Sequence, residues 1–493
     1  MNVAIICELN PFHKGHERIF KAARVLAGHQ REDIPQELLR RNVLDGKALK
    51  ALPRKRGRKK KDTVTGIVVA VMSGNFCERG EPALLDKWTR ARIALECGAD
   101  AVVEIPSVYS AASAQFFADA AVDIVEGLGC IDLLLFGSEC GDGEALSGAV
   151  QKRLEAFDNR GLFKVGAADG DGGESFPKAM EKHLGVRLSG NDILAVEYVC
   201  ALTRRRSNII PGFFQIASGG KSGSEDDAGE DVHAGIIREI CGEIARAVPE
   251  SAWESETMHS AILAFVEKAE RFMPPAAWEI FREKLTSGDF VWGIEALENV
   301  ILAELRRMKP VDADRLPFAG DGLGRKILEL SLKSGSLARV ISGATGKAYT
   351  AARVRRTMLS VVTGARQETY PSMIFVPYVR LLAVKKSVNI SKLAVGVSAV
   401  SKGVPAASKG VPAAPKGVSG GAADPYAADH CGGGRARDFI VGNIPADYEK
   451  SCSADTVRLL GNEIIASDLY ALGCKVRKYC VARKEFTNGL ISL

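Results

Sequence analysis

The residues best suited to chemistry stand close to the N-terminus: Asn10, Pro11, Phe12, His13, Lys14, Gly15 and His16. They follow an apolar run, VAIIC from Val3, and open a helical pattern that continues to about Ala27. This is an HxGH pattern at a strand-to-helix junction. A glycine there lets the backbone approach a phosphate. The helix N-terminus offers unpaired N–H groups and the positive end of its dipole, and two imidazoles can donate to developing charge. In adenylyl transfer, stabilising the α-phosphate transition state is most of the catalytic task, so two histidines at i and i+3 require no further nucleophile. The chain has seven histidines, and these two fall at the carboxyl edge of a sheet, where open α/β folds bind ligands. His13 and His16 are the candidate catalytic pair.

The elements that must position them are legible as alternating patterns. VAIIC near Val3, GIVVAVM from Gly66, AVVEI from Ala101 and IDLLLFG from Ile131 read as strands, separated by helical stretches around Gly15–Ala27, Asp86–Cys97 and Ala111–Gly127. Short β-rich runs separated by helices of 10–15 residues indicate βαβ units, hence a doubly wound parallel sheet. From about Glu239 to Leu332 the pattern becomes helical. The fold class is therefore α/β, a doubly wound parallel-sheet domain over 1–238 followed by a mainly helical domain over 239–396. The stretch 29–65 reads as an insertion, and Gly166–Glu174 and Ser218–Asp231 read as surface loops. Residues 397–436, with the repeat SKGVPAA, are too rich in Gly, Pro, Ala and Lys to offset chain entropy by burial, and read as a linker. Residues 437–493 return to folded character and are expected to dock on the helical domain.

Composition narrows the class. At 493 residues, with 46% hydrophobic and 26% charged residues, the chain has the make-up of an ordinary globular protein of two or three domains. No run approaches the roughly 18 apolar residues that span a bilayer, so a cytoplasmic location and no membrane partner are expected. Eleven scattered cysteines lack paired ligand spacing, so no metal site is expected. The net charge of +6 is matched by the run Arg54, Lys55, Arg56, Arg58, Lys59, Lys60 and Lys61 alone. Either a phosphate-touching arm or a solvated insertion fits that run.

The segments CELNPFHKGH, VMSGNFCERGEPALLDKWTRARIALECGADAVVEIP, SAQFFADAAVDIVEGLG, LLLFGSE and GNDILAVEYVCAL together resemble the bacterial tRNA(Met) cytidine acetate ligase family of HxGH nucleotidyltransferase-like proteins. GLGRKI, KAYTAARVRRTML, PYVRLLAV and ASDLYAL resemble its helical RNA-binding part. The resemblance implies a ligase that uses ATP, with Mg2+, to activate acetate as acetyl-adenylate. The acetyl group would then pass to the wobble cytidine of elongator tRNA(Met), giving N-acetylcytidine. It implies an ATP-binding segment of Ile6, Cys7, Glu8, Leu9, Asn10, Pro11, Phe12, His13, Lys14, Gly15, His16, Glu17, Arg18 and Ile19. Single ATP contacts are implied at Gly98, Asn191, Ile216 and Arg238.

From the residues themselves, Gly98 also fits a helix C-cap and Asn191 an N-cap, the reading favoured by sequence alone. Asp86, Lys87 and Arg90 read as a solvated helix face. Two departures from the family pattern stand out: Gln215 or Ile216 occupies the place of an arginine, and the stretch His233–Arg238 keeps Arg238 but lacks two hydroxyls that would bind phosphate oxygens. For RNA, Lys347, Tyr349, Arg353, Arg355, Arg356 and Arg380 form a candidate phosphate-tracking surface with a stackable aromatic. Two other classes remain open: a small-molecule adenylyltransferase, and a non-catalytic tRNA-binding paralogue.

Overall fold

A computed structural model describes residues 1–29, 66–140, 143–155, 188–216, 234–253, 255–371, 373–393, 398–399 and 437–493, together with the single positions 181 and 185. The basic run, His233, both expected Gly-rich loops and the SKGVPAA repeat lie outside the described residues.

The expected parallel strands form. β1 (Val3–Cys7) pairs in parallel with β2 (Val68–Ser73) on one side and with β6 (Leu133–Ser138) on the other. β2 pairs with β5 (Ala101–Ile105), and β6 with β7 (Ile210–Gln215). Every residue of β1, β2 and β5 is buried, as a sheet covered on both faces demands. Alternate residues feed two cores. Val3 and Ile5 pack with α1 (Lys14–Ala27) and α2 (Lys87–Glu96), whereas Ala4 and Ile6 pack with α3 (Ala114–Leu128) and α5 (Gly190–Arg204); α4 (Gly143–Glu155) flanks α5. The chain runs outward from β1 through β2 to β5, then returns to lay β6 on the other side of β1. That reversal opens a crevice at the carboxyl ends of β1 and β6, where the HxGH segment begins.

The boundary at residue 239 does not divide the structure as expected. Helices α6 (Ala234–Ala247), α7 (Glu256–Val266) and α8 (Pro275–Ser287) contribute Ile237, Ile262 and Phe281 to the same core as α1. By contrast, α9 (Glu298–Arg307), α10 (Leu323–Lys333), α11 (Leu337–Ala344) and α12 (Ala351–Thr363) build a separate helical core, which Ala466 and Tyr470 of the C-terminal segment also join. The segment PYVRLLAV, assigned by resemblance to the helical part, is instead strand β8 (Tyr378–Val384), antiparallel to β5. Beyond it lie β10 (Asp438–Val441) and β9 (Ser398–Ala399), while β11 (Ile491–Ser492) pairs with the far end of β8. Residues 437–493 thus join the sheet as well as the helices, where α13 (Ala454–Ala471) packs against α12. A short antiparallel hairpin, β3 (Phe76–Cys77) with β4 (Glu81–Pro82), projects from the end of β2 and places Phe76 in the helical core.

Candidate active site

At the end of β1 the chain turns through Leu9, which takes a positive φ of 50°, and a cis Asn10–Pro11 peptide. His13 is then the N-cap of α1, and its Nδ1 accepts the Gly15 N–H at 3.0 Å. His16 completes a reciprocal box, with its Nδ1 accepting the His13 N–H at 3.2 Å. An imidazole nitrogen that accepts a backbone N–H carries no proton, so these hydrogen bonds assign the proton of each neutral ring to Nε2. Both imidazoles therefore present an Nε2–H donor, with their ring centroids 3.9 Å apart. Burial holds His16 well below the usual histidine range and keeps it neutral. Phe12 backs the pair, its ring centroid 5.5 Å from those of His16 and Phe20. Gly15 serves these rings directly, because a Cβ there would lie 2.8 Å from His13 Cε1.

The remaining predicted positions separate. Along the segment, Ile6, Cys7, Leu9, Phe12 and Ile19 bury their side chains in the core, and burial pushes the Cys7 thiol up to about 12. Glu8 accepts the Glu78 N–H at 2.6 Å, Glu17 pairs with Lys21 at 2.8 Å, and Lys14 and Arg18 are half-buried. Asn191 is not the cap of α5. Ser189 is, in a capping box with Asp192, and exposed Asn191 donates to Glu139 Oε1 at 2.8 Å. Asp192 also accepts from Ser138 Oγ at 2.6 Å and from the Glu139 and Cys140 N–H groups, which clips α5 to the carboxyl end of β6. Ile216 continues β7, donating its N–H to Ser138 O at 2.8 Å. Arg238, on α6, donates Nη1 to the Asn10 carbonyl at 2.6 Å. These positions gather at the carboxyl ends of β1, β6 and β7. Gly98 does not join them: with a φ of 122° it follows α2 at the start of β5, accepting from Arg24 at 2.9 Å, so its conformation answers to the helix end.

The candidate RNA face is largely assembled on and beside α12. Lys347 is exposed, and Tyr349 stacks under the Arg353 guanidinium at 5.2 Å. Arg353 donates Nε to Phe318 O at 2.9 Å, Arg355 pairs with Glu81 at 2.9 Å, and Arg356 pairs with Glu78 at 2.9 Å. Arg380 must be removed from this surface. It is fully buried on β8, where it donates to Glu104 at 3.2 Å, to Glu485, and to the Gly442 carbonyl at 2.9 Å.

A family model described as HIGH Nucleotidyl Transferase matches residues 57–390, more than half of the chain. A tRNA(Met) cytidine acetate ligase of Caldanaerobacter subterraneus is 30% identical over 327 residues, covering 64% of this chain and 75% of the relative. The chain belongs to the tRNA(Met) cytidine acetate ligase family of HIGH nucleotidyl transferases. A second relative of that name, from Acetivibrio thermocellus, is 26% identical and aligns over 99% of both chains. The crystal structure of Thermotoga maritima TmcAL bound with alpha-thio ATP shares the fold, with a TM-score of 0.68 at 21% identity and full coverage of both chains.

For a member of this family, the residue that sequence reasoning most clearly misplaces is Arg90. Far from a solvated face, Asp86, Lys87 and Arg90 sit on a helix in which eight of ten residues are buried. Asp86 is its N-cap, and Arg90 donates to Leu85 O at 2.9 Å, to Glu8 O at 2.6 Å and to Gly74 O. One guanidinium thus ties the loops after β1 and β2 together under the HxGH segment. The available signal was the lack of a clean polar stripe on α2, which marks a helix buried all round. Among the described residues, no three His, Cys, Asp or Glu side chains are grouped to hold a metal ion. No helix among them is long and apolar enough to cross a membrane.

Proposed function

We propose that the protein is an ATP-dependent ligase of the cytoplasm. A carboxylate oxygen of acetate attacks the α-phosphorus of ATP and pyrophosphate leaves. The exocyclic amine of the wobble cytidine of elongator tRNA(Met) then attacks the acetyl carbonyl, releasing AMP and a proton. The carrying observation is the pair of neutral imidazoles with assigned Nε2–H donors at the crevice of the sheet, in a chain of this family. Such donors stabilise charge on the α-phosphate oxygens without a covalent step, and the N–H groups of the first turn of α1 add to them. Arg238 stands beside the same loop to meet the polyphosphate, and Asn191 offers an amide for the base or ribose. Mg2+ enters as the companion of ATP, and no step is assigned to it. Lys347, Tyr349, Arg353 and Arg356 supply cations and a stacking surface for tRNA.

ATP–pyrophosphate exchange measured with and without acetate and tRNA tests this reading. Exchange that requires acetate is expected. Exchange with a phosphate-bearing acceptor instead would indicate a small-molecule adenylyltransferase. No exchange by a folded protein that still binds tRNA would make it a non-catalytic paralogue, the outcome favoured by Gln215 or Ile216 standing in place of an arginine.

A further inference from the structure

Two bridges run from the loop after β1 to α12, both through the β3–β4 hairpin. In the first, Glu8 accepts the Glu78 N–H at 2.6 Å, and Glu78 receives Arg356 on its carbonyl at 3.0 Å and its carboxylate at 2.9 Å. In the second, the Asn10 carbonyl accepts from Arg238 at 2.6 Å. Arg238 Nε lies 3.9 Å from one oxygen of Glu81, and the other oxygen pairs with Arg355 at 2.9 Å. Between the two glutamates, Gly80 has a φ of 73°, and a Cβ there would lie 2.6 Å from the Arg356 backbone nitrogen. Hairpin and helix therefore touch backbone to backbone, leaving no slack in the connection. The Nε groups of Arg355 and Arg356 are buried and have no hydrogen-bond partner among the described residues, so each guanidinium faces its glutamate through its terminal nitrogens.

We propose that Glu81 is a positioning residue that makes nucleotide and RNA compete, and so orders the two half-reactions; the inference rests on the ligase reading above. One carboxylate serves two cations, Arg238 on the nucleotide side and Arg355 on the RNA side. A phosphate can replace a carboxylate on either guanidinium. When ATP draws Arg238 to its polyphosphate, Glu81 turns wholly to Arg355 and opposes an RNA phosphate there. Departure of pyrophosphate returns Arg238 to Glu81 and releases Arg355 to the RNA backbone. The adenylate state thus binds tRNA more tightly than the ATP state does. By linkage, RNA opposes ATP by the same factor.

The test is binding of an elongator tRNA(Met) transcript, at low ionic strength, with and without α,β-methylene-ATP, in the full-length protein and in Glu81→Gln. In the unaltered protein the nucleotide is expected to weaken tRNA binding about fivefold. In Glu81→Gln that factor should fall to near one, and tRNA should bind more tightly than to the unaltered protein without nucleotide. A melting temperature matching that of the unaltered protein separates this from general damage, and Glu81→Asp, which keeps the charge, should retain antagonism. Equal factors in the two proteins, or no antagonism in the unaltered one, would overturn the proposal while leaving the ligase reading intact. Failure of the unaltered protein to bind either probe would overturn both.

Discussion

At the scale of residues, the proposed site depends on which imidazole nitrogen carries a proton. Both Nδ1 atoms are occupied by backbone N–H groups, so the donors proposed for catalysis are neutral Nε2–H groups. Replacing His16 by alanine removes one donor and one half of the capping box. Losing a preorganised donor to a developing oxyanion typically costs about 10²–10³ in rate. His16→Ala should therefore lower acetate-dependent exchange by about that factor while leaving tRNA affinity within about twofold, since α12 makes none of its described contacts with His16. A parallel loss of both in a folded variant would contradict the separation of roles. The depressed His16 pKa adds a sign: the ring stays neutral as pH falls through the usual histidine value of 6.5, so exchange should hold from about pH 8 to pH 6. A decline centred near 6.5 and absent in His16→Asn would show that His16 titrates normally. The closeness of the two rings was legible in the i, i+3 spacing of the HxGH pattern at a strand-to-helix junction. The role of Gly15 was only half legible, because the ring that fills the missing Cβ is set by local backbone geometry.

At the scale of elements, the sheet is locked by charges buried where no solvent reaches. Lys87 on α2, Glu104 on β5, Arg380 on β8, Glu463 on α13 and Glu485 near the C-terminus form one cluster, each at most 2% exposed. Lys87 pairs with Glu463 at 2.9 Å, with Glu485 at 2.6 Å and with Glu104, while Ser107 donates its N–H and hydroxyl to Glu463. Three carboxylates face two cations, so one proton is retained. Burial, which outweighs the nearby Lys87, raises Glu104 to about 8, whereas Glu463, despite burial, is pulled down to about 2 by Lys87. The sign follows from the folded value lying above the ordinary 4.5. Glu104 contributes fully below pH 4.5, and its contribution fades as pH rises through 8. Urea unfolding across pH 5–9 should show this loss in the unaltered protein, and Glu104→Gln, which mimics the protonated acid, should flatten it. An unchanged slope in that variant would place the proton elsewhere. Arg380→Met, by contrast, leaves three carboxylates against one ammonium and should cost about 3–5 kcal/mol at any pH in that range. None of this was legible from sequence. An arginine within an apolar run reads as a surface cation because its partners, Glu104 and Glu485, stand 276 and 105 positions away.

At the scale of the whole molecule, the division of labour drawn from sequence is not a division of folding. The parallel strands and their helices could be read because each is a local pattern with a period of two or 3.6. β8 could not, since seven consecutive buried residues fit a buried helix as well as a strand, and pairing with β5 is a long-range choice. That choice makes the nucleotide-binding half incomplete by itself. Without β8, the edge of β5 exposes a row of unpaired N–H and C=O groups, and Glu104 loses Arg380. Without α7 and α8, the face of the sheet beneath α1 loses Ile262, Ala277 and Phe281. A fragment of residues 1–247, which keeps the HxGH segment and Arg238, is therefore expected to be insoluble or to lack a cooperative thermal transition. Supplying residues 248–493 as a separate chain in the same cell should restore soluble complex and acetate-dependent exchange, because strand pairing and the ion cluster require proximity rather than a covalent link. A soluble 1–247 fragment that unfolds cooperatively and catalyses exchange would show that the sheet is complete at β5, and that β8 and its arginine are additions to a domain that folds without them.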